Sequence, residues 1–438
     1  MPEPRVLVRG GTVVDQTGSR RADVLVAGSA VVEVGEAIPV PARATVLDAG
    51  GCLVAPGLVD LHTHLREPGG EVAETVETGT RAGVLGGYCA LVAMPNTEPP
   101  IDCPSVARDV LELGRKALCE VAVAAAITLG REGRQLAPMG ELAALGIHLF
   151  TDDGAGVQDP SVMRQALEYA SDLGVVLAQH CQDDALASGG QMHEGAWSSR
   201  LGIPGQPALA EESMLARDLA LVRLTGSPMH FLHLSSAGSV DLVRRAKAEG
   251  LPVTAEVTPH HLSLTDAEVA SYDPVFKVNP PLRSAADLEA LRAGLEDGTL
   301  DAVATDHAPH TPERKELPFE EAPSGMLGLE TALPVTSAAL RREGCDVPYQ
   351  LLFAALSWQP ARIARLDRAS GGRQGGPVAP GAPANLVVYD PAATWTVDPS
   401  RLASRSRNTP FAGRQLAGRV RHTLVEGEPV VVDGAAQR

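Results

Sequence analysis

From Gly57 onwards the chain alternates short apolar runs with helical patterns, and this alternation limits the possible folds more than any other feature. The apolar runs have strand character, and stretches rich in Ala, Leu and Glu with helical periodicity fill the gaps between them. Strands that alternate with helices form parallel sheets, and eight such strands predict a (β/α)₈ barrel. The predicted strands span 58–62, 89–94, 120–127, 147–151, 174–179, 229–233, 252–257 and 301–305.

Both ends of the chain have a different pattern. Residues 4–56 and the last part of the sequence consist of short strand-like runs separated by glycine-containing turns. We therefore expect a small β-sandwich whose first part is 1–56 and whose second part is 371–438, with the barrel formed by 57–370. A stretch rich in glycine and proline at 371–383 is predicted to be the linker back to the sandwich.

Charge and cysteine content narrow the class of function. The chain has 438 residues and a formal net charge of -17 at pH 7, which argues against nucleic acid or an anionic membrane as a partner. The six cysteines are scattered without a CxxC motif, so we interpret them as reduced thiols of a cytoplasmic protein. We recognise neither a signal-peptide pattern nor an apolar run long enough to span a membrane.

The run VDLHTH places two histidines, His62 and His64, at the end of the first predicted barrel strand. Side chains alternate along a strand, so both imidazoles lie on the same side and can share one metal ion. A single histidine or aspartate is more often a core or capping residue, but further candidates occur at the ends of later predicted strands. They are Asp153, His180, His233 and Asp306. Strand ends meet at the catalytic face of such a barrel, so the set predicts a site for one or two divalent ions.

Several longer motifs resemble those of a known family. They are GLVDLHTHLREPG, AMPNTEPP, FTDDG, HLSSAGSV, EVTPHHL, KVNPPLR, DHAPHTPERK, GLETALP and SRNTPFAG, and they cover nearly the whole chain. Together they resemble the dihydroorotases of the amidohydrolase superfamily. The resemblance implies a TIM barrel with a flanking β-sandwich and the reversible cyclisation of N-carbamoyl-L-aspartate to L-dihydroorotate in de novo pyrimidine (UMP) biosynthesis.

The resemblance also implies a metal centre with one or two Zn²⁺ ions per subunit. The implied ligands are His62, His64, His180, His233 and Asp306. Many relatives bridge their metals with a carboxylated lysine, but His148 occupies that place here and cannot form a carbamate. Another branch of the family uses the aspartate of FTDDG, so we expect Asp153 to be the bridging carboxylate. Asp152 should point away from the metals and have a structural role.

Substrate contacts follow from the same resemblance. Arg66, Asn96 and His310 are expected to bind the substrate carboxylate, for which a guanidinium is well suited. Asn279 is expected to contact the ring, although a role as a turn residue before two prolines is about as good an interpretation. Asp306 is expected to be both a metal ligand and the catalytic group that moves the proton.

Other interpretations stay open at this point. Within enzymes, the alternatives are a hydantoinase, a dihydropyrimidinase or an allantoinase; outside them, a non-catalytic scaffold for aspartate transcarbamoylase. We expect a homo-oligomer, with aspartate transcarbamoylase as a candidate partner. The polar loop 308–326 is predicted to be a lid over the site. His260 and His261 are expected to be structural, and His230 an ordinary packing or surface residue.

Overall fold

The computed structural model describes residues 4–341 and 344–437. The strands are β1 (Arg5–Asp15), β2 (Gly18–Ala27), β3 (Ala30–Gly35), β4 (Thr45–Asp48), β5 (Leu53–Pro56), β6 (Leu58–Thr63), β7 (Tyr88–Ala93), β8 (Glu120–Ala125), β9 (Leu149–Thr151), β10 (Val176–Gln179), β11 (Met192–His193), β12 (Gly205–Gln206), β13 (Met229–Phe231), β14 (Val253–Val257), β15 (Ala302–Val303), β16 (Leu386–Thr396), β17 (Gln415–Val425), β18 (Glu428–Val432) and β19 (Ala435–Ala436).

The α-helices lie mainly between the barrel strands. They are α1 (Val76–Leu85), α2 (Pro104–Gly114), α3 (Met139–Ala143), α4 (Pro160–Leu173), α5 (Asp184–Ala187), α6 (Ala196–Leu201), α7 (Leu209–Thr225), α8 (Ala237–Ala248), α9 (Ala285–Glu296), α10 (Pro312–Lys315), α11 (Ala332–Ala339), α12 (Tyr349–Phe353) and α13 (Gln359–Ile363). Among the described residues, none of these helices has the length and hydropathy needed to cross a membrane.

Eight parallel strands form the barrel predicted from the sequence. Their order is β6-β7-β8-β9-β10-β13-β14-β15, so neighbours in the chain are neighbours in the sheet. The seam between the first and last strands is joined just beyond β15, where the backbone N–H of His64 donates to the carbonyl of His307 at 2.9 Å. The buried carboxylate of Asp60 also spans this seam and accepts from the backbone N–H of Thr305 at 2.8 Å. The prediction of a (β/α)₈ barrel is therefore confirmed.

The two ends of the chain pair with each other in a second sheet. Nine strands form it, in the order β19-β18-β17-β16-β5-β1-β2-β3, with β4 on β1. The central contact is antiparallel, between β5 from the first segment and β16 from the last. This continuous pairing supports our proposal that 1–56 and 371–438 form one unit around the barrel segment 57–370. Gly57 connects β5 to β6 and lies so close to Cys89 that a Cβ atom at this position would collide with it.

Local signals explain where the helices begin and end. In α4, the side chain of Asp159 caps the N-terminus by accepting from the backbone N–H of Ser161, and Pro160 occupies the first turn. The helix ends at Gly174, whose φ of 66° is left-handed. Its buried face includes Met163 and Leu167, which pack in the core between the strands and the surrounding helices.

The largest difference from the predicted strands is at β15, which is only two residues long although 301–305 was expected to be extended. Beyond Val303 the chain carries Asp306 at a φ of 45°, which is incompatible with a continuing strand. The strand is short because its end is bent to deliver a side chain to the barrel face.

Candidate metal centre

Six side chains predicted to bind metal lie together at the C-terminal ends of the barrel strands. We call them the ligand cluster: His62, His64, Asp153, His180, His233 and Asp306. The barrel delivers them from β6, β9, β10, β13 and β15, or from the one to three residues that follow these strands. All six residues are buried. The parallel topology places these positions at one face although they are distant in sequence.

Asp153 is shared by two groups of possible metal ligands. One group is His62, His64 and Asp153, and the other is Asp153, His180 and His233. The Oδ1 atom of Asp153 lies 3.3 Å from Nε2 of His62 and 3.6 Å from Nε2 of His233. Its Oδ2 atom lies 3.6 Å from Nε2 of His64. A carboxylate in this position is suited to bridge two ions.

Asp306 completes the cluster on the side of the first strand. Its Oδ1 atom lies 3.1 Å from Nε2 of His64 and 3.6 Å from Nε2 of His62. On the opposite side, Nδ1 of His180 lies 2.9 Å from Nε2 of His233. The cluster therefore presents imidazole nitrogens and carboxylate oxygens to a common space.

Hydrogen bonds orient the first two histidines for metal binding. Nδ1–H of His62 donates to Oε1 of Glu256 at 3.1 Å, and its Nε2 has no hydrogen-bond partner among the described residues. Nδ1–H of His64 donates to Oδ1 of Asn96 at 2.8 Å. Because the acceptors occupy Nδ1, the neutral form of each ring has its lone pair on Nε2, which faces the cluster. Against the effect of burial, the carboxylates of Asp153, Glu256 and Asp306 raise the pKa of His62 well above its usual value when no metal is bound.

Glu256 and His230 support the cluster from inside the barrel, and our sequence analysis missed both. Oε2 of Glu256 lies 3.0 Å from Nε2 of His230, whose Nδ1 lies 2.8 Å from Oγ1 of Thr254. His230 is completely buried, so it is not a surface residue, and its contact with Glu256 goes beyond the ordinary packing role that we expected. The available signal was a glutamate within the apolar strand VTAEV, because a charge buried in a barrel requires partners.

The carboxylates of this region are held in their charged form. Burial alone would raise the pKa of Asp153, but the charge of His62 and hydrogen bonds from the surrounding imidazoles hold it well below the usual range. At Asp306, burial would likewise raise the pKa, but His64 and His62 lower it. Against its own burial, Glu256 has its pKa lowered to about 2 by His230 and His62. All three groups are therefore anionic at neutral pH.

Three residues of the site have left-handed backbone conformations that are rare outside glycine. The φ angles are 60° at Arg66, 32° at His233 and 45° at Asp306. Such conformations cost about 1–3 kcal/mol each and persist where the surroundings impose them. Here they turn the chain at the strand ends, so that the side chains face the barrel axis.

The two adjacent aspartates of FTDDG have different surroundings. Asp153 faces the cluster, whereas the carboxylate of Asp152 accepts from the backbone N–H groups of Ile127 at 2.8 Å and Thr128 at 3.0 Å. Asp152 is thus bound to main chain, as expected for a structural residue. His148 lies just before β9, and burial and the charge of Arg365 lower its pKa.

A cavity of about 350 Å³ opens over the cluster, within the range typical of small-molecule sites. The predicted substrate residues line it: Arg66, Asn96, Asn279 and His310. Arg66 forms no ion pair with any described residue, and its one hydrogen bond is from Nε to the carbonyl of Pro309 at 3.3 Å. A guanidinium in this state can bind an anionic group.

Asn279 and His310 have contacts beyond those predicted. The side-chain amide of Asn279 lies 3.3 Å from Nε2 of His180, so this residue touches the ligand cluster as well as the cavity. Nε2–H of His310 donates to the carbonyl of Ser324 at 2.7 Å. Burial lowers the pKa of His310 to about 3, so the ring is neutral and its Nδ1 is an acceptor.

Two lysines hold the loop 308–326 against the neighbouring segment. Nζ of Lys315 donates to the carbonyls of Pro274 and Pro323, both at 2.9 Å. Nζ of Lys277 donates to the carbonyls of Phe319 and Glu320, also at 2.9 Å. The loop is anchored over the cavity in this conformation, and its movement as a lid stays a prediction.

Three further histidines lie near the cluster. His261 is hydrogen-bonded to Thr258 and to the carbonyl of Pro280, at 2.7 and 3.1 Å. The adjacent His260 is also buried, and its Nε2 has no hydrogen-bond partner among the described residues. Nε2 of His307 lies 3.2 Å from the carboxylate of Glu74, and its Nδ1 accepts from the backbone N–H of Gly328.

The donor set fits a divalent transition metal. Imidazole nitrogens and carboxylate oxygens are the ligands that zinc and its neighbours prefer, and two of the imidazoles have their Nδ1 atoms occupied. The orphaned Nε2 of His62 is best explained by an ion, because a buried nitrogen without a partner is costly. Two groups that share Asp153 could each hold an ion, and Asp306 lies beside the histidines of the first group.

Known proteins resemble this chain over its full length. A family model described as dihydro-orotase-like matches residues 51–239. The curated dihydroorotase of Streptomyces coelicolor is 48% identical over 433 residues, which cover 98% of this chain and 99% of the relative. That of Mycobacterium tuberculosis is 47% identical over 432 residues, with the same coverage of 98% and 99%.

Solved structures of related enzymes share the fold. An L-hydantoinase (dihydropyrimidinase) from Arthrobacter aurescens superposes with a TM-score of 0.88 at 24% identity, covering 100% of this chain and 98% of that one. A D-hydantoinase from a Bacillus species has a TM-score of 0.84 at 27% identity, with coverage of 98% and 96%. The hydantoinases share the architecture, whereas nearly half of the residues are identical to those of dihydroorotases. The chain belongs to the dihydroorotase family.

Proposed function

We propose that this protein catalyses the reversible cyclisation of N-carbamoyl-L-aspartate to L-dihydroorotate with release of water. The observation that carries the proposal is the unpaired guanidinium of Arg66 in the cavity above the ligand cluster. Dihydroorotate differs from dihydrouracil by a carboxylate, and a cavity cation without a carboxylate partner among the described residues is suited to this group. In a chain with a net charge of -17, such a local cation selects for an anion.

Neighbouring groups complete the proposed carboxylate site. Oδ1 of Asn96 is occupied by His64, so the Nδ2 group of Asn96 is available to donate to the substrate. Asn279 is proposed to contact the ring from the other side of the cavity. We keep His310 as a substrate contact, but with Nε2–H on Ser324 its Nδ1 is suited to a ring N–H rather than to a carboxylate.

The metal ligands in this proposal are the six residues of the ligand cluster, and the metal is Zn²⁺, as one or two ions. When bound, such ions supply Lewis acidity for the amide carbonyl and activate water. By accepting from Nδ1–H, Glu256 and Asn96 leave Nε2 of His62 and of His64 as the nitrogen that faces the cluster and would bind a metal. The loop 308–326, held by Lys277 and Lys315, limits the access of bulk water to the cavity.

Asp306 is proposed to be the group that moves the proton. In ring opening, its carboxylate accepts a proton from the attacking water and delivers it to the departing ring nitrogen. In ring closure, it removes a proton from the ureido nitrogen of N-carbamoyl-L-aspartate. The histidines hold the pKa of Asp306 low, against the effect of burial, so the carboxylate is unprotonated at neutral pH before the reaction starts.

The biological setting is part of the same proposal and follows from the family. We propose a role in de novo pyrimidine (UMP) biosynthesis in the cytoplasm and a homo-oligomeric assembly. Aspartate transcarbamoylase is the proposed macromolecular partner.

A comparison of turnover rates with several substrates tests the proposal directly. The zinc-loaded protein should hydrolyse L-dihydroorotate and form it from N-carbamoyl-L-aspartate, with little activity on dihydrouracil, hydantoin or allantoin. Asp306→Asn, purified in the same way, controls for contaminating enzymes. Faster hydrolysis of hydantoin or dihydrouracil would assign the protein to the neighbouring amidases. A zinc-loaded protein without turnover of any of these compounds would favour the scaffold interpretation.

A further inference from the structure

The turn formed by residues 127–133 lies directly against the segment that carries Asp153. The buried carboxylate of Asp152 accepts from the backbone N–H groups of Ile127 at 2.8 Å and Thr128 at 3.0 Å, and also from the hydroxyl of Thr128. Two acceptor oxygens of one side chain therefore hold the start of this turn. In this contact, a side chain of the segment that carries Asp153 reaches the turn at 127–133.

In a second contact, a side chain of the turn reaches the segment. Nη2 of Arg131 donates to the main-chain carbonyl of Asp153 at 2.7 Å. The turn reverses at Gly130 and Arg131, which have φ angles of 60° and 57°. This left-handed pair brings the guanidinium back over the neighbouring segment. Asp152 and Arg131 thus link the same two pieces of chain from both sides, and we call this pair of contacts the clasp.

Gly154 leaves room for the clasp beside the cavity. Its φ is 79°, a conformation that glycine adopts readily. A Cβ atom at this position would lie 3.6 Å from Nη2 of Arg131 and 3.9 Å from Nδ2 of Asn96. These are ordinary contact distances, so the constraint at this position is the left-handed backbone, and Gly154 places the guanidinium of Arg131 close beside the cavity.

The surroundings of Asp153 explain why its main chain must be held. Among the described residues, the polar partners of its carboxylate are the imidazoles of His62, His64, His180 and His233. An aspartate has a single methylene, so the position of its oxygens follows the position of its backbone. Metal ligation tolerates errors of only about 0.2 Å in ligand distance. A displacement of the chain at this residue would therefore be transmitted to both groups of ligands.

We infer that Arg131 and Asp152 are positioning residues that set the place of the shared carboxylate of Asp153, and through it the affinity of the cluster for metal. The inference rests on the proposed function of the cluster as a metal centre, and it deepens that function. Arg131 does not line the cavity, so it acts through the backbone of Asp153 and not on the substrate. The positive charge of Arg131 also compensates the carboxylate of Asp152 across the turn.

The test compares Arg131→Met with Arg134→Met in the full-length protein. Arg134 directly follows the turn and is exposed. Its substitution removes the same charge without breaking the clasp. After metal removal, zinc affinity is measured by competition with a chromophoric chelator, and the absorption spectrum of the Co²⁺-substituted protein is recorded. The melting temperature of the metal-free protein and the KM for dihydroorotate complete the set.

Arg131→Met should weaken zinc affinity by roughly 10- to 100-fold, the range seen when groups that orient metal ligands are lost. Its Co²⁺ spectrum should change, and its KM for dihydroorotate at saturating zinc should equal that of the wild type. Arg131→Lys, which can still donate to a carbonyl, should restore part of the affinity. Arg134→Met should behave as the wild type does.

A milder variant covers the case in which Arg131→Met does not fold. Thr128→Val removes the hydroxyl that donates to Asp152 and keeps the shape of the side chain. It should lower zinc affinity in the same direction but by a smaller factor. Unchanged zinc affinity in Thr128→Val would overturn the inference.

Other outcomes separate this inference from the function on which it rests. A raised KM with unchanged zinc affinity in Arg131→Met would show that Arg131 binds substrate, and a lower melting temperature alone would show a purely structural role. Either result overturns the inference and, if the wild type turns over dihydroorotate, leaves the proposed function intact. A wild-type protein that binds no zinc and has no turnover would overturn both.

Discussion

The ligand cluster and the cavity wall above it, which is formed by Arg66, Asn96, Asn279 and His310, are stabilised in opposite ways. In the cluster, each charge has a partner: His62 is paired with Glu256, and Asp153 with four imidazoles. In the wall, the guanidinium of Arg66 has no carboxylate partner among the described residues and only one hydrogen bond, to a main-chain carbonyl. The cluster is organised before any ligand arrives, whereas the wall has an unsatisfied cation.

This difference indicates that the cluster and the wall have separate functions: the cluster binds metal, and the wall recognises the anionic group of the substrate. A buried charge without a partner is costly, and the protein tolerates that cost where a ligand will supply the opposite charge. Substitutions in the cluster should therefore affect metal content and chemistry for every substrate. Substitutions in the wall should affect only substrates that carry the matching anion. The predictions below test this distinction.

The largest effect is expected for Asp306→Asn. The amide keeps the shape and an oxygen for weak coordination but cannot move the proton, so kcat should fall by about 10²- to 10⁴-fold in both directions. Initial rates with dihydroorotate and with N-carbamoyl-L-aspartate, together with metal analysis, measure this effect. Retained turnover at altered metal content would reduce Asp306 to a ligand only.

The next effect concerns Glu256, which contacts two imidazoles. Glu256→Gln leaves one acceptor oxygen for His62 and His230 and removes the negative charge, so zinc affinity should fall roughly 10- to 100-fold. Chelator competition measures the change. As a control, Asp218→Asn alters another buried carboxyl of the barrel, one that pairs with Gln179 and Arg217 instead of a metal ligand. Equal losses in both variants would indicate a general loss of barrel stability.

Arg66→Lys tests the cavity wall. An ammonium lacks the planar fork that binds a carboxylate, so kcat/KM for dihydroorotate should fall by roughly 10- to 100-fold, or about 1.5–3 kcal/mol. The residual hydrolysis of dihydrouracil, which has no carboxylate, should be unaffected. Comparable losses with both substrates would mean that Arg66 supports the metals or the fold, and the division between wall and cluster would then fail.

The last effect is on folding stability instead of metal binding or catalysis. It concerns Glu330, a partly buried carboxyl outside both regions that accepts from the backbone N–H of Ala403 at 2.8 Å. Unlike Glu256, it has no imidazole partner, and burial raises its pKa to about 7. The folded state thus favours its protonated form, so its contribution to stability is present below about pH 4.5 and is lost as the pH rises through about 7, by about 3 kcal/mol in total.

Glu330→Gln should remove this pH dependence. Relative to the wild type, the variant should become progressively more stable between about pH 5 and about pH 8, as measured by chemical denaturation. Parallel stability curves for the two proteins would mean that Glu330 is solvated in the folded state. The contrast with Glu256 would then no longer show how imidazole partners change a buried carboxyl.

Much of the barrel and of the ligand cluster could be predicted from the sequence. The apolar runs around β6, β10 and β14 end at polar residues, and parallel strands of one barrel must bring such ends to one face. The identity and spacing of His62 and His64 indicated metal binding because a strand has a period of two. These conclusions depend only on local periodicity and on a topology with few alternatives.

The partners of the ligands could not be predicted in this way. Glu256 contacts His62 across 194 positions of sequence, and the guanidinium of Arg131 reaches Asp153 from a turn of the preceding connection. The tautomer of His310 likewise depends on a single carbonyl, that of Ser324, in the loop that follows. Such pairs form only when separate strands and loops approach within hydrogen-bond distance.

The sequence by itself determined the alternation of strands and helices, the pairing of the two chain ends in a second unit, and the residue types gathered at the barrel face. Only the tertiary structure decided which nitrogen of His62 and of His64 faces the metal site, which buried acids are charged, and which cation in the cavity has no carboxylate partner among the described residues. The physical reason is that periodicity acts along the chain, whereas protonation and charge compensation depend on distances of about 3 Å between residues that are remote in sequence.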